Sequence, residues 1–297
     1  MDLEGRVAIV TGSGGGLGRA HVRYLARMGA RVVVNDLSQE AADRVAAEII
    51  ADGGQAIAIA GSVADERAVA AMVGRVVDRW GRVDILVNNA GILRDKSFAK
   101  MSLEDFRLVI EVHLMGAVIC TKAVWEMMRE QRFGRVVMTT SSSGLYGNFG
   151  QANYSAAKMA LVGLMQTLAI EGEKYNIRVN GLAPTAATQM TEGVLSAETL
   201  RLLDPAWVSP GLRLLVSEDA PTRVILCAGA GNFATANVTL TQGYYAGTGD
   251  DAGEQVIAHW PDVSDRSGEI VPNYGFTQAE REVASAGFTA PVLAVER

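Results

Sequence analysis

Cysteine is almost missing from these 297 residues: Cys120 and Cys227 are the only two. Both sit in apolar runs (AVIC and VILC), so buried free thiols are expected rather than a disulfide framework. Histidine is as scarce, and the three residues His21, His113 and His259 form no zinc-binding spacing with either cysteine, so no metal is expected. Positive charge is in deficit as well. Against 33 acidic residues stand 27 basic ones, a net charge of -6, which gives no basic field for nucleic acid. Lysine supplies only five of those 27, so each lysine position carries information. The opening MDLEGRVAIVTG runs directly into a strand pattern and lacks the basic start and apolar core of a signal peptide. No apolar stretch approaches the length of a membrane span. A soluble protein of a reducing compartment, most simply the cytoplasm, is expected, with no membrane partner. Internal repeats and low-complexity tracts are also absent.

What is present is a core. With 49% hydrophobic and 20% charged residues, the chain suits one large α/β domain or one domain with an appendage. Short apolar runs at Arg6–Thr11, Arg31–Asp36, Gln55–Ala60, Asp84–Asn88, Gly134–Thr140, Ile177–Leu182 and Arg223–Ala228 read as strands buried on both faces. Helical patterns alternate with them, at Leu17–Met28, Gln39–Asp52, Asp65–Trp80, Leu103–Arg129, Ala156–Tyr175 and Ala197–Ser217. Repeated strand–helix–strand units imply right-handed crossovers and a doubly wound, Rossmann-type parallel sheet of about seven strands. The pattern stops near Gly231. Residues 1–231 read as the nucleotide-binding catalytic domain. Residues 232–297, rich in Gly, Asp, Ser and Thr, read as a C-terminal extension with helical periodicity only at Thr277–Ala284, and a cover over the substrate crevice or a subunit interface are its two expected roles.

Two groups of residues carry chemistry. The run TGSGGGLG (11–18) follows the first strand and opens the first helix, where free backbone N–H groups and glycines suit a pyrophosphate. The second strand ends in Asp36, an acceptor for both ribose hydroxyls of NAD and a repellent for the 2′-phosphate of NADP, so NAD is expected. Tyr154 and Lys158 are four apart at a helix start and share one face. An ammonium nearby favours the phenolate, which would let Tyr154 exchange a proton with a substrate oxygen. Ser141 ends a buried strand, where a hydroxyl faces the ligand crevice and can hydrogen-bond a substrate oxygen; Thr140, Ser142 and Ser143 compete for that role.

Together these motifs resemble the short-chain dehydrogenase/reductase superfamily: TGSGGGLG (11–18), NNAG (88–91), Ser141 with Tyr154-x-x-x-Lys158, and RVNGLAPTAATQM (178–190). The resemblance covers residues 1–231. It implies a cofactor site of Gly12, Gly16, Leu17, Gly18, Asp36, Ser62, Val63, Asn89, Ala90, Gly91, Pro184 and Thr188, with Tyr154 and Lys158 shared between cofactor and catalysis. In it, Asn89 lies beside the cofactor, Lys158 bonds the nicotinamide ribose, Val63 lies at the adenine and Thr188 lies near the pyrophosphate and carboxamide. GILRDKSFAKMS (91–102), VHLMG (112–116) and SGLYGNFGQANYSAAK (143–158) look like the (3R)-hydroxyacyl-CoA dehydrogenase part of the peroxisomal multifunctional enzyme type 2. The resemblance thus implies a (3R)-hydroxyacyl-CoA/3-ketoacyl-CoA pair as substrate. A 17β-hydroxysteroid or other secondary-alcohol dehydrogenase, an acyl-carrier-protein ketoreductase, and a non-enzymatic NAD-binding redox sensor are the alternatives. The resemblance also implies a homodimer or homotetramer. Three positions depart from the superfamily pattern. His113 stands where an Asn of the proton relay is usual, which leaves a relay role and a structural one both open. Thr185 replaces a glycine, and Ser62 stands where an Asp often meets adenine. Arg94, Asp95 and Lys96 read as a solvated loop at the crevice rim.

Overall fold

The Val- and Ile-rich runs are strands covered on both faces. In the computed structural model, which describes residues 2–187 and 196–288, β1 (Val7–Val10), β2 (Arg31–Asp36), β3 (Gln55–Ala60), β4 (Ile85–Asn88), β5 (Gly134–Thr139), β6 (Ile177–Pro184) and β7 (Ile225–Gly229) are all parallel. Their order is β3-β2-β1-β4-β5-β6-β7. Alternate side chains serve two cores: Val7 and Ile9 point to one, Ala8 and Val10 to the other. The first layer is closed by α3 (Glu66–Trp80), α5 (Gly116–Gln131) and α7 (Ala152–Gly172), and the second by α1 (Gly16–Arg27), α2 (Gln39–Ala51) and α9 (Gly211–Val216). Between them come α4 (Leu103–Ile110), α6 (Ser142–Tyr146) and α8 (Ala197–Leu202). This is the doubly wound sheet expected. Cys120 is a buried free thiol, and burial pushes its pKa up to about 12.

Four details differ from the sequence reading. The sheet does not stop at Gly231: β8 (Asn232–Ala236) pairs antiparallel with β7 through a two-residue turn, and the compact unit closes at Ala236. Ala230 and Gly231 both take positive φ, +51° and +75°, the twist that a tight hairpin needs. The single helix expected over Ala197–Ser217 is broken, because Pro205 and Pro210 each lack the N–H that would continue it. The long helix after Ser102 is continuous but carries a π-turn at Glu111–Met115. That helix, Leu103–Gln131, is also long and apolar enough to cross a membrane by length and composition, contrary to the expectation that no stretch approached a span. Here its face of Ala117, Cys120, Val124 and Met128 packs into the core on the sheet.

The second compact unit begins at Asn237. It holds α10 (Ala252–Ala258), α11 (Trp260–Val263) and α12 (Phe276–Ser285), with a lone bridge between Leu240 and Ile270 and a Tyr244 ring stacked 4.1 Å from His259.

The end of the sheet where the strands begin is held by buried charge. Asp84 is fully buried and accepts four hydrogen bonds: from Arg82 Nε (2.8 Å), Arg82 Nη2 (2.7 Å), Arg6 Nη1 (3.0 Å) and the Val7 N–H (2.9 Å). Arg135, also fully buried, donates to the carbonyls of Gly134, Asn176, Ser217 and Glu218. Phe133 lies between two guanidiniums, 3.6 Å from Arg6 and 4.0 Å from Arg135.

Two buried histidines make the fold acid-sensitive. His21 on α1 sits 2.9 Å from Ser209 Oγ through Nδ1, and its Nε2 has no hydrogen-bond partner among the described residues. Burial pushes the pKa of His21 down to about 3, and that of His113 down to about 3. Both are therefore neutral when folded. Unfolded, they regain the ordinary value of 6.5, so between pH about 6.5 and 3 the unfolded chain binds more protons. Stability from this source is full above that window and is lost as pH falls through it. The Tm of the parent should drop across the acid limb, and His21→Asn should give a shallower slope. Identical slopes in the two proteins would contradict the assignment.

Candidate functional site

The crevice opens where the strand order reverses, between β1 and β4, at the ends where strands of such sheets present loops to ligands. It is a cleft of about 880 Å³. One wall is the glycine loop with Asp36; the other is Ser141, Tyr154 and Lys158 with the Pro184–Ala186 segment, and Asn89–Gly91 form the floor between them.

Steric limits select the glycines. A Cβ at Gly12 (φ +62°) would lie 2.8 Å from Ala90 Cα, and one at Gly18 would lie 2.2 Å from the Gly12 carbonyl oxygen. The loop is pinned by Asn89, whose Nδ2 donates to the carbonyls of Thr11 (2.9 Å) and Gly12 (3.1 Å). The Thr11 hydroxyl in turn accepts the N–H groups of Asn89 and Ala90. α2, α3 and α4 are N-capped by Ser38, Asp65 and Ser102, whereas α1 starts after Gly15 with no side-chain cap and no acidic residue in its first turn. Uncapped N–H groups at that helix end, facing the cleft, suit a pyrophosphate. Asp36 accepts the Gly14 N–H through Oδ2 (3.0 Å) and the Ser38 N–H through Oδ1 (3.2 Å), leaving a lone pair on each oxygen for ribose hydroxyls. The residues present fit a nicotinamide dinucleotide.

The opposite wall brings Ser141, Tyr154 and Lys158 together. Ser141 follows β5 and caps α6, its Oγ accepting the Ser143 N–H (3.2 Å), and its hydroxyl is near enough to Tyr154 to favour the phenolate. Thr140 turns away to donate to the Lys158 carbonyl (2.8 Å), which removes it as a rival. Gly144 lets α6 cross α7, since a Cβ there would lie 2.7 Å from Lys158 Cβ. Lys158 is buried, and its Nζ donates to the Thr139 carbonyl at 2.5 Å and lies 5.6 Å from the Tyr154 ring centre. Burial pushes the Lys158 pKa down to about 7. Burial also raises the Tyr154 phenol above its usual value, with Asp95 acting the same way and the Ser141 hydrogen bond opposing both. The lowering by lysine expected from the spacing is not found in the protein alone: desolvation dominates, and the influence that opposes it comes from Ser141.

His113 lies in the π-turn with its ring edge-on to Tyr154, centroids 5.2 Å apart. Its Nε2 meets the backbone of Ile92, and its Nδ1 is buried without a hydrogen-bond partner among the described residues. Gly91 makes room for that ring: a Cβ would lie 2.2 Å from His113 Cε1. Ser62 and Val63 are not among the residues that line the cleft. Ser62 Oγ accepts the Ala64 N–H, and Val63 packs under Gly116. Thr188 lies outside the described residues.

Sequence reasoning missed several lining residues. Asp95, read as rim, is held by Gln151 Nε2 (2.6 Å) and reaches the field of Tyr154. Asn153, fully buried, ties the Arg94 carbonyl to the start of α7, and the Lys96 N–H bonds the Gly150 carbonyl, so the loop after β4 and the loop before Tyr154 form one wall. Arg44 lines the cleft beside Asp36. Asp95 and Asn153 fall inside the segments 91–102 and 143–158 that carry the resemblance, and Arg44 lies outside every motif; the part each plays became visible only through contacts distant in sequence.

Comparison with known proteins agrees with this geometry. The short chain dehydrogenase family profile matches residues 6–199. A short-chain type dehydrogenase/reductase of Mycobacterium tuberculosis is 43% identical over 282 residues, 92% of this chain and 98% of that protein. The peroxisomal multifunctional enzyme type 2 of Mus musculus is 50% identical over 220 residues, which is 71% of this chain but only 29% of that one, so this chain matches less than a third of the multifunctional relative's length. The structure of the full-length peroxisomal multifunctional enzyme type 2 from Drosophila melanogaster superposes with a TM-score of 0.81 at 36% identity, covering 96% of this chain and 50% of that chain.

Proposed function

This chain belongs to the short-chain dehydrogenase/reductase family, and from that premise we propose that it is an NAD-dependent oxidoreductase interconverting a (3R)-3-hydroxyacyl-CoA and its 3-ketoacyl-CoA. The observation that carries the reading is the convergence of Ser141, Tyr154 and Lys158 on the same cleft as Asp36 and the uncapped start of α1. The cofactor, when bound, supplies the hydride acceptor. Ser141 Oγ holds the substrate oxygen, and Tyr154 Oη takes the hydroxyl proton in oxidation or returns it in reduction. Lys158, whose pKa burial lowers to about 7, puts a positive charge beside the phenolate that this step creates when it is protonated. The similarity to the multifunctional enzymes supports the acyl-CoA substrate. The same reading has the chain work in the cytoplasm as a homodimer or homotetramer, and partly exposed Met115, Met159 and Ile170 on its long helices support that assembly.

NAD should be preferred over NADP, with Asp36 as the main reason. A carboxylate and a 2′-phosphate about 4 Å apart repel by on the order of a few kcal/mol. Asp36→Ala should therefore narrow the ratio of kcat/KM for the two cofactors at least ~10-fold. Equal values in the parent would refute the preference. The substrate is tested by initial rates across (3R)-3-hydroxyacyl-CoA esters of several chain lengths beside free 17β-hydroxysteroids and acyl-carrier-protein thioesters. CoA esters should give the highest kcat/KM, and a steroid or carrier-protein maximum would replace the substrate while leaving the chemistry in place.

A further inference from the structure

The segment after β4 sends its side chains two ways. Leu93 and Asp95 line the cleft, whereas Arg94 and Lys96 do not. Arg94 Nε lies 3.7 Å from Asp105 Oδ1 and Lys96 Nζ lies 3.5 Å from Asp105 Oδ2, so both cations flanking Asp95 turn to the first turn of α4. Asp95 itself has no ion pair among the described residues. Its Oδ2 accepts from Gln151 Nε2 at 2.6 Å, and a neutral amide donor fixes a carboxylate without cancelling its charge. The backbone is held on both sides of it. Asn153 Nδ2 donates to the Arg94 carbonyl at 3.1 Å, and the Lys96 N–H donates to the Gly150 carbonyl at 2.9 Å. A fixed, uncompensated negative charge therefore stands on the wall that carries Tyr154, near enough for its field to act on the phenol. That field works against the phenolate, so the acid/base chemistry does not explain why a carboxylate is held there.

We infer that Asp95 is a specificity-determining residue that rejects anionic substrates: 3-hydroxy- and 3-ketoacyl groups enter when the acyl carboxyl is capped as an uncharged ester, as in a thioester, and not as free acids. The inference deepens the acyl-CoA reading above and rests on it. With its 3-oxygen at Ser141 and Tyr154, a free acid brings its own carboxylate to within two carbons of the reacting centre, on the wall where Asp95 sits. Like charges at that range repel in a partly desolvated cleft. A thioester presents the same carbons without the charge, and the phosphates of CoA lie a full pantetheine arm away, where salt screens them. The cation of this wall, Lys158, is buried with Nζ on the Thr139 carbonyl. Discrimination of this kind needs only a repulsive group aimed at the wrong ligand.

The test compares two small ligands that share a skeleton and differ in charge, acetoacetate and methyl acetoacetate. Each competes against oxidation of a (3R)-3-hydroxyacyl-CoA, and Ki is measured in the parent and in Asp95→Asn, whose amide oxygen keeps an acceptor for Gln151. The parent should bind the ester at least ~10-fold more tightly than the anion, and Asp95→Asn should narrow that ratio ~5-fold or more. Added salt should narrow the ratio more steeply in the parent than in the variant. Any effect of Asp95 on Tyr154 or on the loop acts on both ligands and cancels in the ratio. Equal Ki values in the parent would overturn the inference. So would a ratio that Asp95→Asn leaves unchanged, which would assign the repulsion elsewhere or leave Asp95 only a role in holding the loop. If the CoA ester is not oxidised, the acyl-CoA reading fails. The Ki ratio, measured then against whichever secondary alcohol is turned over, still decides the role of Asp95.

Discussion

Tyr154→Phe is expected to lower kcat by roughly 10²–10⁴-fold, the range for loss of a positioned acid/base, while leaving the Kd for NAD within about threefold of the parent. The substitution deletes one oxygen. The ring stays edge-on to His113, and the helix start remains fixed by the Asn153 bond to the Arg94 carbonyl. Cofactor contacts proposed for Asp36 and the α1 start lie on the opposite wall. What disappears is the proton acceptor beside Ser141, and neither flanking group replaces it. The Ser141 hydroxyl is a far weaker base at neutral pH, and His113 is a neutral ring whose pKa burial lowers to about 3. Steady-state turnover and fluorescence titration of NAD check the two halves separately. A variant that retains a tenth or more of the parent rate would remove Tyr154 from the reaction.

Asp84→Ala should cost about 3–5 kcal/mol of stability, the usual penalty for removing one partner of a buried ion pair. For a domain of this size that is a fall in Tm of roughly 6–12 °C. Asp84 is fully buried, and its two oxygens organise Arg6, Arg82 and the first N–H of β1. Arg6 and Arg82 keep 24% and 39% side-chain exposure and can turn to water, which places the expected loss at the lower end of the range. The Val7 N–H, fixed in the sheet, has no such escape. Asp84→Asn retains an acceptor for that group and should lose less. A Tm within about 2 °C of the parent for Asp84→Ala would show that the carboxylate is not the anchor of β1 and β4.

Asp84 also marks where reading the sequence runs out. It was visible only as the first residue of an apolar run, because its partners lie 78 and 77 positions away and at Arg82. By contrast, β1, β2, β4 and β5 were legible because a strand buried on both faces is an unbroken run of Val, Ile and Leu. Tyr154 and Lys158 were legible because helical spacing alone puts them on one face. The β7–β8 hairpin was missed because Ala230 holds a positive φ that its residue type does not announce, and NFATA has only weak strand character. The π-turn was missed because its extra residue leaves the apolar period nearly intact, yet it places the His113 ring against Gly91 and Tyr154. The broken helix after Ser196 was readable from Pro205 and Pro210, and an apolar pattern running through both concealed it. The direction of the Tyr154 shift was misjudged for a general reason: spacing reports neighbours, whereas desolvation depends on the whole enclosure.

On the function proposed, this cleft turns over a secondary alcohol with NAD. The most direct measurement is the rate of NADH formation, followed by absorbance, when the protein and NAD meet a (3R)-3-hydroxyacyl-CoA or its (3S) enantiomer. Sustained turnover, many NADH per subunit, is expected for the (3R) substrate, with the (3S) form slower by at least ~10-fold. NAD that binds tightly while neither enantiomer, nor any other secondary alcohol, yields NADH would contradict it and make the protein a sensor of the cofactor rather than an enzyme.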